Sequence, residues 1–386
     1  MSDRGGETKP DSVTLQHLTL RSFRNYDSLD LTLGKGLTLV VGSNGQGKTN
    51  LIEAAYYLCL GRSFRERREK RLIQLDRDEA IVSGVFATAE GECRVAFELQ
   101  RNDPKRVLID GDHPERLSAL IGRFPVVGLT PDDSAIVKGD PGARRRFMDL
   151  VLAQTSRRYL EALRSYRRIL ARRNCCLREG RRTLAATYDE ALVEAARGIR
   201  SSRAALVEFV DARAREFYRE VSDGGEELTL AYRPDPAADP GDREQLAAIL
   251  ARSLPLDADR GFTGRGPHRD EIAFTINGRE LRAYGSHGQA RTALAAVKLA
   301  EVDYFSAAYG RQPLLLMDEV ASVLDDTRAM NLIGVVAGAV AQVLITTPRE
   351  DIPAGLRDRA DGIVMVENGA VGNASATHAG GRRENG

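Results

Sequence analysis

The 386-residue chain has no excess of charge of either sign. Its 56 Lys and Arg stand against 55 Asp and Glu, a formal net charge of +1. Bulk charge therefore points to no partner, and any surface for a polyanion must be local. Cysteine is scarce: Cys59, Cys93, Cys175 and Cys176 form no C-x-x-C pair, and the five histidines follow no zinc-binding spacing. Reduced thiols are expected, and a structural zinc site is not. No apolar run approaches the ~18–20 residues of a membrane span. The start, "MSDRGGETKP", has no apolar core of a signal peptide. A soluble, cytoplasmic protein without a membrane partner is expected. Internal repeats are also lacking.

What is present changes texture along the chain. Residues 1–12 form a loose tail. Residues 13–140 begin with alternating apolar and polar positions, the pattern of short antiparallel strands, and "GLTLVV" follows as a buried strand. "NLIEAAYYLCLG" is an amphipathic helix stopped by Gly61. Further strands are expected in "IVSGVFA", "CRVAFELQ" and "KRVLIDG". Residues 141–222 are Arg-rich and nearly free of glycine and proline, with apolar residues at helical spacing. They predict a helical hairpin or small bundle inserted as an arm. Residues 223–366 return to strand and turn texture, and "QPLLLMDE" and "AQVLITT" have the continuous apolar character of parallel strands. Residues 367–386 are a polar tail.

"GSNGQGKT", Gly42 to Thr49, fits G-x-x-x-x-G-K-[ST] between a predicted strand and a predicted helix. Gly42, Ser43, Asn44, Gly45, Gln46 and Gly47 supply backbone N–H groups for the phosphates of ATP. Lys48 reaches the β- and γ-oxygens, and Thr49 offers a hydroxyl to Mg²⁺. In "LLLMDE", Asp318 ends an apolar strand and is placed to complete the Mg²⁺ shell. Glu319 is the candidate general base for an attacking water.

"GSHGQ" narrows the class. Ser286, Gly288 and Gln289 match the Ser-x-Gly-Gln core of the ABC-type signature, and "SVLDD" follows the acidic pair as a D-loop with Asp325. In that class the signature caps the γ-phosphate held by a partner subunit's P-loop, which implies an ATP-dependent homodimer. A hydroxyl and N–H groups at a helix N-terminus suit that task. The same residues also fit an ordinary helix cap. "LITTPRE" places Thr346 or Thr347 where a switch residue follows the next strand, and Thr347 is the choice. Gln74 is the candidate Q-loop ligand to the metal.

The gap from Thr49 to Ser286 is longer than a transporter domain implies and far shorter than an SMC-type coiled coil implies. Two helices of ~30 residues reach only about 45 Å. The segments "LRSFRNY", "GSNGQGKTNLIEAAYYLCLGRSFR", "PDDSAIVKGDPGARRRFMD", "GPHRDEIAF", "YGSHGQARTALAAVKLAE" and "MDEVASVLDD" occur in order. On these the chain resembles the RecF family of bacterial recombination mediators over roughly residues 13–366. Ala290 and Val323 depart from that family's usual signature and D-loop.

The resemblance implies an α/β fold: an ABC/SMC-type P-loop ATPase head of mixed sheets with flanking helices, carrying a short inserted helical arm. It implies DNA binding without sequence preference and partners RecO and RecR. It also implies a role in recombinational repair, in RecA loading at gaps, in replication restart and in SOS induction. Hydrolysis is expected to be slow and to serve release. Residues 142–220 hold nineteen Arg, no Lys and ten acids, about +9, the local excess expected for phosphate contacts. Arg65, Arg144, Arg145, Arg146, Arg168 and Arg172 are the candidate DNA residues. Solvated helix faces and i,i+4 pairs are the plainer explanation for any one of them. "FRNY" (Phe23–Tyr26) is a candidate for packing near adenine or ribose, or else a core strand. Asp270 and Glu271 are expected to be structural, and His268 has no assigned role.

Overall fold

The structure, a computed structural model, describes residues 11–222, 225–235, 241–319, 326–348, 352 and 355–372. The chain divides into two compact units. One is drawn from residues up to Asp132 and from Phe305 onward; the other runs from Asp133 to Tyr304.

Among the described residues, the first unit contains two large sheets and one two-stranded pair. Strands β1 (Asp11–Ser12), β2 (Thr14–Phe23), β3 (Tyr26–Thr32) and β4 (Gly36–Val41) precede helix α1 (Lys48–Leu60). Then come β5 (Glu79–Thr88), β6 (Gly91–Gln100), β7 (Arg106–Ile109) and β8 (Val126–Leu129). One sheet is the antiparallel array β3-β2-β5-β6-β7, whose strands alternate buried and exposed residues. α1 packs against strands of both sheets. That position explains why it is apolar nearly all round, with Leu51, Ala54, Ala55, Tyr57 and Leu58 fully buried.

Among the described residues, the second unit is helical apart from one small sheet. Its helices α2 (Ser134–Lys138), α3 (Pro141–Thr155), α4 (Arg157–Arg178), α5 (Arg182–Ala186) and α6 (Asp189–Val221) lead to β9 (Leu228–Arg233). Then follow α7 (Arg243–Arg260), β10 (Glu271–Ile276), β11 (Arg279–Glu280), α8 (Leu281–Tyr284) and α9 (His287–Tyr309). The division between units falls in the last turn of α9. Helix starts are capped as the residue types dictate: Ser156 Oγ accepts from Tyr159 N at α4, and Asp242 Oδ1 from Gln245 N at α7. α7 carries Pro255 within it, a residue that argues against a helix when the sequence alone is read.

Residues 141–222 lie with residues 223–304 in the second compact unit. α6 packs on β9 and α7, and Asp211 on α6 accepts from the backbone N–H of Leu230 at 2.6 Å.

The chain then adds to the first unit β12 (Arg311–Gln312), β13 (Leu314–Met317), α10 (Asp326–Ala339), β14 (Gln342–Thr347), β15 (Gly362–Glu367) and β16 (Ala370–Gly372). The second sheet has the order β16-β15-β4-β14-β13-β8 and is parallel from β15 to β8. β13 and β14 are buried throughout, which explains their unbroken apolar runs. β1 pairs with β12.

Candidate nucleotide site and arginine surface

β4 delivers the P-loop into α1 at the C-terminal edge of the parallel sheet. Gly47 caps α1 at φ 118°, and a Cβ there would lie 2.7 Å from Asn25 Nδ2. Gly42 is equally constrained, since its Cβ would meet the Val366 carbonyl at 2.3 Å. Lys48 is buried, and its ammonium donates to the carbonyls of Gly42 (2.7 Å) and Ser43 (3.0 Å) across the mouth of the loop. Ser43, Asn44 and Gly45 are exposed.

The loop is clamped from the turn between β2 and β3. Asn25 Nδ2 donates to the Gln46 carbonyl and Tyr26 OH to the Gly47 carbonyl, both at 2.9 Å. Asn50 Nδ2 in turn donates to Asn25 Oδ1 at 2.6 Å. "FRNY" therefore holds the backbone of the phosphate loop. Arg24 makes a two-pronged pair with the fully buried Glu53 of α1, each bond 2.9 Å. Burial alone would raise the Glu53 carboxyl, but hydrogen bonds from Arg24, Arg65 and Ser63 outweigh it and hold it below its ordinary value.

Asp318 sits where β13 ends, and its N–H donates to the Leu129 carbonyl of β8. Its Oδ1 accepts from Thr49 Oγ1 at 3.0 Å and from Thr346 Oγ1 at 2.7 Å. Burial raises its carboxyl, and the neighbouring Glu319 adds to the rise. The donor set fits Mg²⁺: a hydroxyl and a carboxylate are hard oxygen ligands. The desolvated Asp318 charge is also the kind that a divalent cation relieves. Glu319 has φ 51°, a left-handed conformation costing about 1–2 kcal/mol for a residue with a Cβ. The chain thus turns sharply directly after Asp318.

Thr346 joins the acidic pair, since its hydroxyl also accepts from Glu319 N at 2.8 Å. Thr347 Oγ1 instead donates weakly to the Pro348 carbonyl. The cause is register: Met317 pairs with Ile345, so the next residue of β14 stands beside Asp318. Gln74 does not join Thr49 and Asp318. Its side-chain amide donates to Asp27 Oδ1 at 2.6 Å and its backbone N–H to the Ser22 carbonyl, beside the turn of β2 and β3. Asp325 lies outside the described residues.

In the second unit, Ser286, Gly288 and Gln289 open α9. Gln289 N donates to Ser286 Oγ at 3.1 Å, and Ser286 N donates to Gln289 Oε1 at 2.7 Å. This reciprocal capping box fixes the helix tip. Ser286 Oγ accepts in that bond and keeps its own proton for a further acceptor. Ser286 is exposed and Gly288 half-buried. Gln289 Nε2 is anchored on Glu226, which also accepts from Tyr218 OH.

The arginines separate into two populations. Arg144 is buried and pairs with Glu271 while donating to the Gly139 carbonyl at 2.9 Å. Arg145 is half-buried and donates to the Asp270 carbonyl at 2.9 Å. Arg65 is tied to Glu53 and Asn50. All three thus bond within the protein, Arg144 buried and Arg65 and Arg145 still partly exposed. Arg173, Arg200 and Arg203, uncounted as core from sequence, are also buried. Arg200 and Arg203 share the fully buried Asp270, at 3.0 and 3.3 Å. Asp270 and Glu271 are thus structural, as expected. His268 is a bridge: Nε2 faces the Thr263 carbonyl and must donate, so Nδ1 accepts from Tyr166 OH at 2.7 Å. Burial lowers its pKa, which suits this neutral form.

Arg146, Arg168 and Arg172 are exposed. Arg168 and Arg172 make no ion pair with a described residue. With Arg157 and Arg164 they lie at helical spacing along one solvent face of α4. That stripe spans about 22 Å.

The profile of the RecF/RecN/SMC N-terminal domain matches residues 14–371. A DNA replication and repair protein RecF of Symbiobacterium thermophilum is 37% identical, covering 92% of this chain and 99% of its own. RecF of Bacillus subtilis is 34% identical with the same coverage. RecF of an Anaeromyxobacter species is 38% identical, covering 93% and 99%. A structure of the recombination mediator RecF with ATP, in the RecFOR pathway, matches with a TM-score of 0.85 at 30% identity, covering 94% of this chain and 99% of that one. An Smc head domain from Pyrococcus furiosus matches with a TM-score of 0.59 at 18% identity, covering 94% and 96%. That likeness bears on the fold alone.

Proposed function

The chain belongs to the RecF family, within the RecF/RecN/SMC group, and from that membership we propose that it is an ATP-gated DNA clamp of recombinational repair and replication restart. ATP binds on Gly42–Thr49, with Lys48 on its β- and γ-oxygens and the α1 N-terminus facing the phosphates. Thr49 and Asp318 would hold Mg²⁺, which would supply charge neutralisation at the γ-phosphate. Glu319 takes the proton of the attacking water, and Thr346 fixes the backbone that presents it.

The observation that carries the reading is the capping box at Ser286. The box satisfies one helix N–H through Ser286 Oγ yet leaves the hydroxyl proton for an acceptor outside its own chain. A second copy's γ-phosphate is the acceptor this reading assigns, so two nucleotides join two subunits as an ATP-dependent homodimer. The α4 stripe with Arg168 and Arg172, together with Arg146, contacts DNA phosphates without reading bases. Hydrolysis is weak and DNA-dependent and opens the dimer for release. On gapped DNA the clamp works with RecO and RecR to load RecA and supports SOS induction in the cytoplasm.

Light scattering with and without ATP tests this. Wild type should dimerise with ATP, and Ser286→Arg should not. Glu319→Gln should trap the ATP dimer on DNA. A dimer indifferent to Ser286→Arg, or an unchanged dimer lifetime in Glu319→Gln, refutes the mechanism.

A further inference from the structure

Beside the signature lies a cleft of about 380 Å³ lined by Ile276, Asn277, Arg279, Leu281, Tyr284 and Gln289. Its floor is apolar, since Ile276 and Leu281 are buried. One wall is Tyr284, which stands 77% exposed only two residues before Ser286. The polar contribution comes from the β10–β11 hairpin. Asn277 and Arg279 are exposed, and Arg279 makes no ion pair with a described residue. Asn277 is fixed by an exchange of hydrogen bonds with Glu227, so this edge is rigid. The other titratable groups nearby are Glu280, Arg282 and His287, all exposed, Lys138, whose ammonium donates to the Leu281 and Gly285 carbonyls, and Glu226, which is taken up by Gln289 and Tyr218.

A cleft of this volume can take a small molecule, and its lining is mixed, more polar than apolar, with one aromatic ring at its edge. Its rim contains Gln289 of the signature. We propose that this cleft receives the nucleoside end of the ATP held by a second copy's P-loop, with the Tyr284 ring against the base and Arg279 toward the ribose and phosphates. The inference rests on the ATP-bridged dimer reading and deepens it. The signature unit then recognises the whole nucleotide, and dimerisation depends on the base as well as on the γ-phosphate.

The test uses the full-length protein with ATP and with 2-aminopurine riboside triphosphate, whose fluorescence falls on stacking. Dimerisation is read by light scattering. Ser286→Arg provides the baseline for nucleotide bound to one P-loop. Wild type should dimerise, and its probe should be quenched beyond that baseline. Tyr284→Ala removes two base–aromatic stacks per dimer, each worth about tenfold, so it should weaken dimerisation about a hundredfold and return the fluorescence of the remaining dimer to baseline. Tyr284→Phe should behave as wild type. Because Tyr284 is exposed, both variants should keep the wild-type melting temperature. Dimers of Tyr284→Ala as tight as wild type overturn the inference, as do weakened dimers with undiminished quenching, which mark a protein–protein contact. If wild type fails to dimerise, or Ser286→Arg dimerises normally, the dimer reading itself falls and takes this one with it.

Discussion

Two arginines of the same Arg-rich segment, Arg203 and Arg168, should respond to truncation in opposite ways. Arg203 is 2% exposed. Its guanidinium donates to Tyr159 OH (3.2 Å), the Pro267 carbonyl (2.7 Å), Asp270 (3.3 Å) and Asp149 (2.8 Å). Arg203→Ala leaves the buried Asp270 with one cation fewer, strands the Pro267 carbonyl and opens a cavity. Removing one partner of a buried pair costs about 3–5 kcal/mol, a large share of the ~5–15 kcal/mol that holds a domain folded. Arg168 is exposed, with no ion pair to a described residue, so Arg168→Ala should change stability by under about 0.5 kcal/mol. Its effect belongs in DNA binding. Each phosphate contact on a duplex contributes about 0.9 to the slope of log K against log salt. Arg168→Ala/Arg172→Ala should therefore flatten that slope by roughly 2. Urea titration by circular dichroism measures the first effect. Fluorescence anisotropy on gapped DNA over a salt series measures the second. The separation of the arginines is wrong if Arg203→Ala is as stable as wild type, or if the double variant keeps the full slope.

Asp318→Asn should stabilise the nucleotide-free protein near neutral pH while abolishing Mg²⁺-dependent ATP hydrolysis. The carboxyl is raised by burial, so its ionised form opposes folding. The gain should vanish below about pH 3.8, its ordinary value, where both residues are neutral; a gain persisting there counts against the argument. Glu53 has the opposite sign: held below its ordinary value, it contributes stability that is complete above about pH 4.5 and is lost as pH falls through the lowered folded value. The difference in melting temperature between wild type and Glu53→Gln should therefore shrink on acidification below that point, and a constant difference refutes it. Tyr26→Phe deletes the hydroxyl that holds the Gly47 carbonyl, a loss of about 1 kcal/mol. Calorimetric titration should show weaker ATP binding, and unchanged affinity would mean that the clamp does not order the loop.

The phosphate loop, the acidic strand end and the capped signature helix were legible in the sequence because local geometry dictates their residue types. A left-handed helix cap demands glycine at 47, and a reciprocal cap demands Ser and Gln three apart. "FRNY" was noticed but its task was not. Asn25 and Tyr26 act on a loop some twenty residues away, and no spacing rule connects a hairpin turn to a helix start. Only tertiary structure decided between Thr346 and Thr347, since alternate residues of a strand face opposite sides and pairing register chooses the side. It likewise decided which arginines are interior. Helical periodicity gives every face of α4 and α6 the same right to an arginine. Asp270, brought in from seventy residues beyond Arg200, selects the face that is buried, and the positive charge counted along the chain is partly neutralised inside it.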